Sequence, residues 1–289
     1  MRDPLQYITE KLILRRPRRA LLFGCELLGV SALRVRAAQS SPLYSPDGGE
    51  FFELPADRII ARSVLDRGCW QPEAMDFIAR HVPGGDCILI DIGANVGLVT
   101  RQLVHKVPNI VAAVCFEPHP GNFQMLERNL AHLPQCHCVQ AAVSNSAGQF
   151  TFYEDTHNAG NYSLSPDAVR RREYRTSIVT CIQATPENLL APLTDAQRAL
   201  PIVWKSDAQG FDEVIVTALP DSFWSRVHCG VMEFTRIERP TFERERLRAI
   251  LESYPIRRFR RQDRNATVEE IMTFSEGRDA KFHDLFFSR

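Results

Sequence analysis

Net charge of either sign is missing from this 289-residue chain, in which 35 Lys and Arg balance 35 Asp and Glu. A globally basic surface, the usual footprint of nucleic-acid binding, is therefore excluded, and no nucleic-acid partner is expected. Long apolar runs are missing too. The N-terminal stretch Ala20 to Leu33 is interrupted by Glu26 and is too short to span a bilayer. It follows Arg15, Arg16, Arg18 and Arg19, but Glu26, Arg34 and Arg36 do not suit a secretory signal. An amphipathic helix fits better, docked on its own domain or on a second subunit of a homo-oligomer; peripheral membrane contact is the other use of such a helix. A disulfide framework is also lacking. The eight cysteines are scattered, and Cys87, Cys115 and Cys229 fall in or beside expected core strands. That usage implies a reducing, cytoplasmic compartment. The one cluster, Cys136-His137-Cys138, has no further ligands at a metal-binding spacing. It reads as a core strand with His137 on the opposite face, and no metal is expected.

What is present is organised around Cys87 to Gly97, C-I-L-I-D-I-G-A-N-V-G. Cys87 to Ile90 reads as a buried strand that Asp91 ends; Gly93, Asn95 and Gly97 make a tight turn, and a helix starts at Leu98. Strand, glycine turn and helix form a nucleotide-binding βα unit. The spacing is G-x-N-x-G, without the third glycine of G-x-G-x-x-G. Asp91 sits where a pyrophosphate would approach, which favours a ligand with a positive centre and no phosphates, such as S-adenosylmethionine. Glu117 lies 20 residues past Gly97, at the end of the apolar run Ile110 to Phe116. An acid there accepts both hydroxyls of a ribose.

Further along, helices are expected over Gln71 to His81, Phe123 to Leu133, Thr185 to Ala199, Phe211 to Leu219 and Thr241 to Ser253. Strands are expected over His137 to Val143, Gln149 to Glu154, Ser177 to Ile182, Ile202 to Trp204, His228 to Phe234, Ile256 to Phe259 and Thr267 to Phe274. Alternating strands and helices predict an α/β fold, a doubly wound, mostly parallel sheet with an N-terminal helical extension. The expected division is residues 1–48 for extension and linker and 49–289 for the main domain. Asp91, Glu117, Gln140, Asp207 and Glu233 map to the carboxyl edge, where such sheets bind ligands.

Five stretches carry a family resemblance: D-I-G-A-N-V-G (Asp91 to Gly97), F-E-P-H-P (Phe116 to Pro120), L-x-x-N (Leu126 to Asn129), A-V-S-N-S-A-G (Ala142 to Gly148) and K-S-D-A-Q-G-F-D (Lys205 to Asp212). In order and separation the chain resembles the FkbM family of class I S-adenosylmethionine-dependent methyltransferases from about Asp57 to Glu233. The family pattern at the fifth stretch is K-hydrophobic-D-x-E/Q-G-x-E, from which Ser206 and Asp212 depart. The resemblance implies a Rossmann-like fold, S-adenosylmethionine as cofactor, and O-methylation of a hydroxyl on a sugar, glycolipid or polyketide-type metabolite. The cofactor residues expected are Asp91, Gly93, Ala94, Asn95, Gly97, Glu117, Pro118, Asn122, Gln140 and Ala141, with Gln140 and Ala141 placed to meet the adenine. The catalytic set expected is Asp207, Lys205 and Glu233.

Their roles stay open at this level. Asp207 suits a general base or acceptor binder, a contact to the cofactor's ammonium, or a helix N-cap. Lys205 pairs with Asp207 or Glu233, and Glu233 orients the acceptor or is structural. His119 reads as a loop residue, and Asn161 and Ser163 resemble a polar family turn near the active site. Arg170, Arg171, Arg172 and Arg175 form one basic run and Arg257, Arg258, Arg260 and Arg261 another; each reads as a solvated face or as a contact to a phosphate-bearing acceptor. Two other functions compete: an NAD-dependent oxidoreductase, and a binding protein that kept the fold without turnover.

Overall fold

A computed structural model describes residues 22, 25, 28–44, 49–57, 59–169, 173–238, 241–259, 264–277, 279 and 281–289. The arginines at 15, 16, 18 and 19, residues 20, 21, 23, 24, 26 and 27 of the stretch 20–33, residues 45–48 of the linker, and Arg170, Arg171, Arg172, Arg260 and Arg261 lie outside the described residues. Among the described residues no helix is long and apolar enough to cross a membrane.

Seven strands make the central sheet. In chain order they are β3 (Cys87–Ile92), β4 (Ile110–Phe116), β5 (Cys136–Val139), β10 (Ile202–Ser206), β11 (Val227–Thr235), β12 (Ile256–Phe259) and β13 (Phe282–Ser288). Spatially they run β12-β13-β11-β10-β3-β4-β5. The pairs β11–β10, β10–β3, β3–β4 and β4–β5 are parallel, and β13 is antiparallel to both neighbours. The first five strands thus follow the doubly wound order 3-2-1-4-5, which reverses between β3 and β10. Both faces of β3 are covered, so its sequence is almost continuously apolar instead of alternating. Ile88, Ile90 and Ile92 enter one core with Trp204, and Cys87 and Leu89 enter the other with Val203 and Cys229. Asp91 lies within the strand and does not end it.

The expected strand His137 to Val143 is two strands in two sheets. β5 stops at Val139, Gln140 is exposed, and β6 (Ala142–Ser144) pairs in parallel with β9 (Tyr174–Gln183). β9 also pairs antiparallel with β7 (Gly148–Asp155), which carries the short β8 (Tyr162–Ser163), and these four form a second sheet. The expected final strand Thr267 to Phe274 is a helix, α10 (Val268–Ser275). Its Thr267-Val268-Glu269-Glu270 start is a capping box: the Thr267 hydroxyl accepts from the Glu270 amide at 3.1 Å, and the Glu270 carboxylate accepts from the Thr267 amide at 2.8 Å. The last strand is instead β13. Thr185 to Ala199 folds as two single-turn helices, α5 (Pro186–Leu189) and α6 (Asp195–Arg198), joined by a loop.

Ahead of the sheet, β1 (Ala32–Arg36) pairs antiparallel with β2 (Phe51–Pro55), across the boundary expected at 48/49. Leu33, Val35, Phe52 and Leu54 share a core with Val96 and Leu98 of the glycine-turn region. The helices α1 (Ile60–Arg67), α2 (Pro72–His81), α3 (Leu98–Lys106) and α4 (Pro120–Leu130) complete this side. Arg101 of α3 is 1% exposed and has no buried acid beside it; it donates to the carbonyls of Leu43 (2.8 Å), Phe51 (3.2 Å), Asn129 (2.9 Å) and Gly49. Burial lowers its pKa to about 10, so it stays charged at neutral pH. Arg101→Met would strand these carbonyls, at about 1–3 kcal/mol for each one left buried and unpaired. Urea unfolding should show a loss of at least about 3 kcal/mol; a loss under about 1 kcal/mol would mean that apolar contacts alone hold the N-terminal strand pair.

Candidate active site

The carboxyl ends of β3 and β10 meet where the strand order reverses, and a narrow cleft of about 90 Å³ opens there. Its floor is the turn after β3. Gly93 (φ 71°), Asn95 (φ 53°) and Gly97 (φ 78°) are all left-handed. A Cβ on Gly93 would overlap the Asp207 carbonyl oxygen, so glycine is required for β10 to approach. At Gly97 a Cβ would press on Leu126 of α4.

Every amide of this turn donates within the protein. Gly93 and Ala94 donate to the Phe116 carbonyl at 3.0 and 2.9 Å, Asn95 to Glu117 Oε2 at 2.9 Å, Val96 to Asn95 Oδ1 at 2.9 Å, and Gly97 to the Ala94 carbonyl at 2.8 Å. A dinucleotide site keeps such amides for a pyrophosphate. Here they are taken.

Glu117 follows β4 and lines the cleft. Oε2 takes the Asn95 amide and Oε1 the His119 amide at 2.9 Å. A carboxylate has about four lone-pair positions, so two remain for a ligand. Burial pushes its pKa up to about 7, against the pull of these two amides and of Lys205. His119 is the N-cap of α4, its Nδ1 accepting from the Asn122 amide at 3.2 Å. The Asn95 and Asn122 side chains both donate to the Ala159 carbonyl, at 2.7 and 3.1 Å, and so pin the loop after β7 onto the turn.

Asp91 does not line the cleft. It is fully buried; its Oδ1 pairs with Lys205 Nζ at 2.9 Å and its Oδ2 accepts from the Thr100 hydroxyl at 2.6 Å. Lys205 therefore pairs with Asp91, and neither Asp207 nor Glu233 takes that place. Its ammonium also donates to the Gly93 carbonyl at 2.6 Å. Burial pulls the lysine down, but Asp91 and then Asp207 outweigh it and hold its pKa above the ordinary value.

Asp207 stands at the end of β10. Its amide donates to the Ile92 carbonyl at 3.0 Å and its Oδ1 accepts from the Gln209 side chain at 2.7 Å. It lines both the cleft and a second cavity of about 600 Å³. It is not the cap of α7 (Asp212–Ala218), which begins after Phe211. Glu233 of β11 lines only the larger cavity. Gly93, Ala94, Asn95, Pro118, Asn122 and Ala141 line the cleft with Glu117; Gly97 lies behind it against α4, and Gln140 points to solvent. Trp70, Gln71, Ala159 and Tyr162 also line it, from segments distant in sequence. Of these only the Asn161–Ser163 turn left a trace in the motifs: the Ser163 hydroxyl donates to the Gln209 carbonyl at 2.9 Å.

The two departures at 206 and 212 meet in space. The Ser206 hydroxyl accepts from the Trp204 indole at 3.0 Å and, with the Ala208 amide, draws the Asp212 pKa back toward the carboxylate range. Burial is the larger effect and leaves it at about 7. All eight cysteines are free thiols, and among the described residues no group of His, Cys, Asp and Glu could hold a metal ion.

No family model matches the chain, and no curated protein matches it. Solved structures do. The methyltransferase FkbM from Methylobacillus flagellatus is 14% identical at a TM-score of 0.40, over 70% of this chain and 43% of that one, so this chain spans less than half of that protein. A candidate tRNA (m1A22) methyltransferase from Streptococcus pneumoniae, solved in complex with S-adenosyl-L-methionine, is 13% identical at 0.37, over 74% of this chain and 70% of that one. A precorrin-6y C5,15-methyltransferase from Geobacter metallireducens is 12% identical at 0.32, over 74% and 85%. The activities in those names belong to those proteins.

The Asp91–Lys205 pair is open to a direct test. Lys205→Met leaves a buried carboxylate alone and should cost about 3–5 kcal/mol in denaturant unfolding. Adding Asp91→Asn should recover most of it; no recovery would mean that the bond to the Gly93 carbonyl, not the ion pair, is what the lysine provides.

Proposed function

We propose that this chain is an S-adenosylmethionine-dependent methyltransferase acting on a hydroxyl, as its resemblance to the FkbM family implies. One observation carries the reading: the amides of the glycine turn are all occupied, while Glu117 keeps acceptor positions open at the end of β4. That floor suits a nucleoside without phosphates and gives a pyrophosphate nothing to hold, which disfavours the oxidoreductase reading. The Asp91 charge no longer enters this choice, because Lys205 neutralises it below the turn.

Bound in the cleft, S-adenosylmethionine would supply a methyl group already activated on a sulfonium. Glu117 would take the ribose hydroxyls, and Ala141 with its neighbours Ala142 and Val143 would give an apolar wall for the base. At about 90 Å³ the cleft is narrower than the roughly 300–1,000 Å³ of an ordinary ligand pocket. Asp207 borders both cavities and has one oxygen, Oδ1, on Gln209; its other oxygen would accept the proton of an acceptor hydroxyl.

Calorimetry with S-adenosylmethionine, its demethylated product and NAD tests the cofactor. Binding of NAD and of neither adenosyl ligand would overturn the proposal. The pH dependence follows from Glu117. Its carboxyl titrates near 7 in the free protein and must be ionised to accept two hydroxyls. Affinity for the demethylated product should therefore be full above pH 7 and weaken as pH falls through 7, approaching about tenfold per pH unit. Glu117→Gln should abolish that slope and cost about 1.5–3 kcal/mol of binding at higher pH. For the chemical step, Asp207→Asn should lower turnover about 10²–10⁴-fold with cofactor affinity changed by less than about threefold. A collapse of cofactor binding would place Asp207 in the cofactor's contacts instead.

A further inference from the structure

The larger cavity adjoins the cleft and shares Trp70, Gln71, Gly160, Asp207 and Gln209 with it. On the reading above it is the chamber that receives the acceptor. Among the described residues its walls are mainly acidic. Of the described residues lining it, six are acidic (Glu73, Asp167, Asp207, Glu233, Asp279 and Asp284) and Arg67 alone is basic. Some of this charge is answered locally: Asp279 pairs with Arg236 and Lys281, and Asp167 accepts from the Glu238 amide.

Glu233 is different. It is 5% exposed yet lines the chamber. Its Oε1 accepts from the Thr235 hydroxyl at 2.8 Å, and among the described residues nothing else donates to its carboxyl. Among the described residues no cation is paired with it, and Asp207 and Asp284 stand near enough to add to the cost of its charge. A buried acid aimed into an acidic cavity and given one hydroxyl is poorly satisfied by the protein alone. At the rim, Ile59 and Phe282 are 46% and 63% exposed, two of the few large apolar side chains left in water. They offer a surface for the carbon skeleton of a bound molecule.

We propose that the acceptor is a polyhydroxyl compound carrying a protonated amine, such as an amino sugar or amino alcohol, with Glu233 as the partner of its ammonium and Asp207 beside the hydroxyl. The same field repels a phosphate-bearing acceptor. A bound ammonium would supply the donors and the positive charge that Glu233 lacks.

The proposal rests on the cofactor reading, so both are read in one experiment. Full-length protein is first titrated with the demethylated cofactor product. At saturation it is then titrated at neutral pH with glucamine, sorbitol and sorbitol 6-phosphate, which share a polyol chain and differ in charge. Glucamine should bind at least tenfold more tightly than sorbitol, and sorbitol 6-phosphate more weakly than either. Glu233→Gln should reduce the glucamine preference to within threefold of sorbitol while the product still binds, which shows that the variant is folded. If the product binds but glucamine has no advantage, or the phosphate binds best, this proposal fails and the cofactor reading stands. If the product does not bind at all, both fail.

Discussion

A single buried ion pair fixes the geometry on which the site depends. Asp91 and Lys205 are register partners on adjacent parallel strands, and these are the two strands between which the sheet reverses its winding. The same ammonium holds the Gly93 carbonyl, so one cation ties β3, β10 and the turn together. Buried pairs seldom add much net stability, because desolvation consumes most of the attraction. What this one supplies is position. With the turn held, the Asp207 backbone rests against Gly93, and Asp207 projects from the far wall of the cleft.

The turn shows how a common frame is specialised. The βα unit after β3 has the outline of a phosphate-binding loop, but its donors are spent internally. Asn95 does much of this. Its left-handed backbone aims its amide at Glu117, its side-chain oxygen takes the next amide, and its side-chain nitrogen holds the loop at Ala159. Asn95 thus helps to make a closed floor where a phosphate-binding loop leaves its amides free. It also fixes Glu117, whose carboxylate keeps positions open to a ligand.

Much of the frame was legible in the sequence because the relevant signals are local. The strand over Ile110–Phe116 and the acid after it, the helix after Gly97, and the strand over Ile256–Phe259 all follow from short patterns of apolar residues and punctuation. The segment at 267–275 misleads because its β-branched residues suggest a strand, yet its Thr-x-x-Glu start is a capping signal that outweighs them. His137 to Val143 reads as one strand because nothing local says that Gln140 leaves one sheet for another. Asp91 was legible as a site residue but not as a buried one, since its partner lies 114 residues away. Trp70, Ala159 and Tyr162 carry no spacing signal; only the tertiary fold brings them to the cleft.

Ser206 has a consequence for how far this part of the core tolerates change. Its hydroxyl accepts from the Trp204 indole, and it is one of the groups that draw the Asp212 pKa back toward the carboxylate range. A hydrophobic residue at 206 would leave a buried indole N–H and a buried carboxylate without that hydroxyl. A substitution at 206 is thus felt at two buried groups at once.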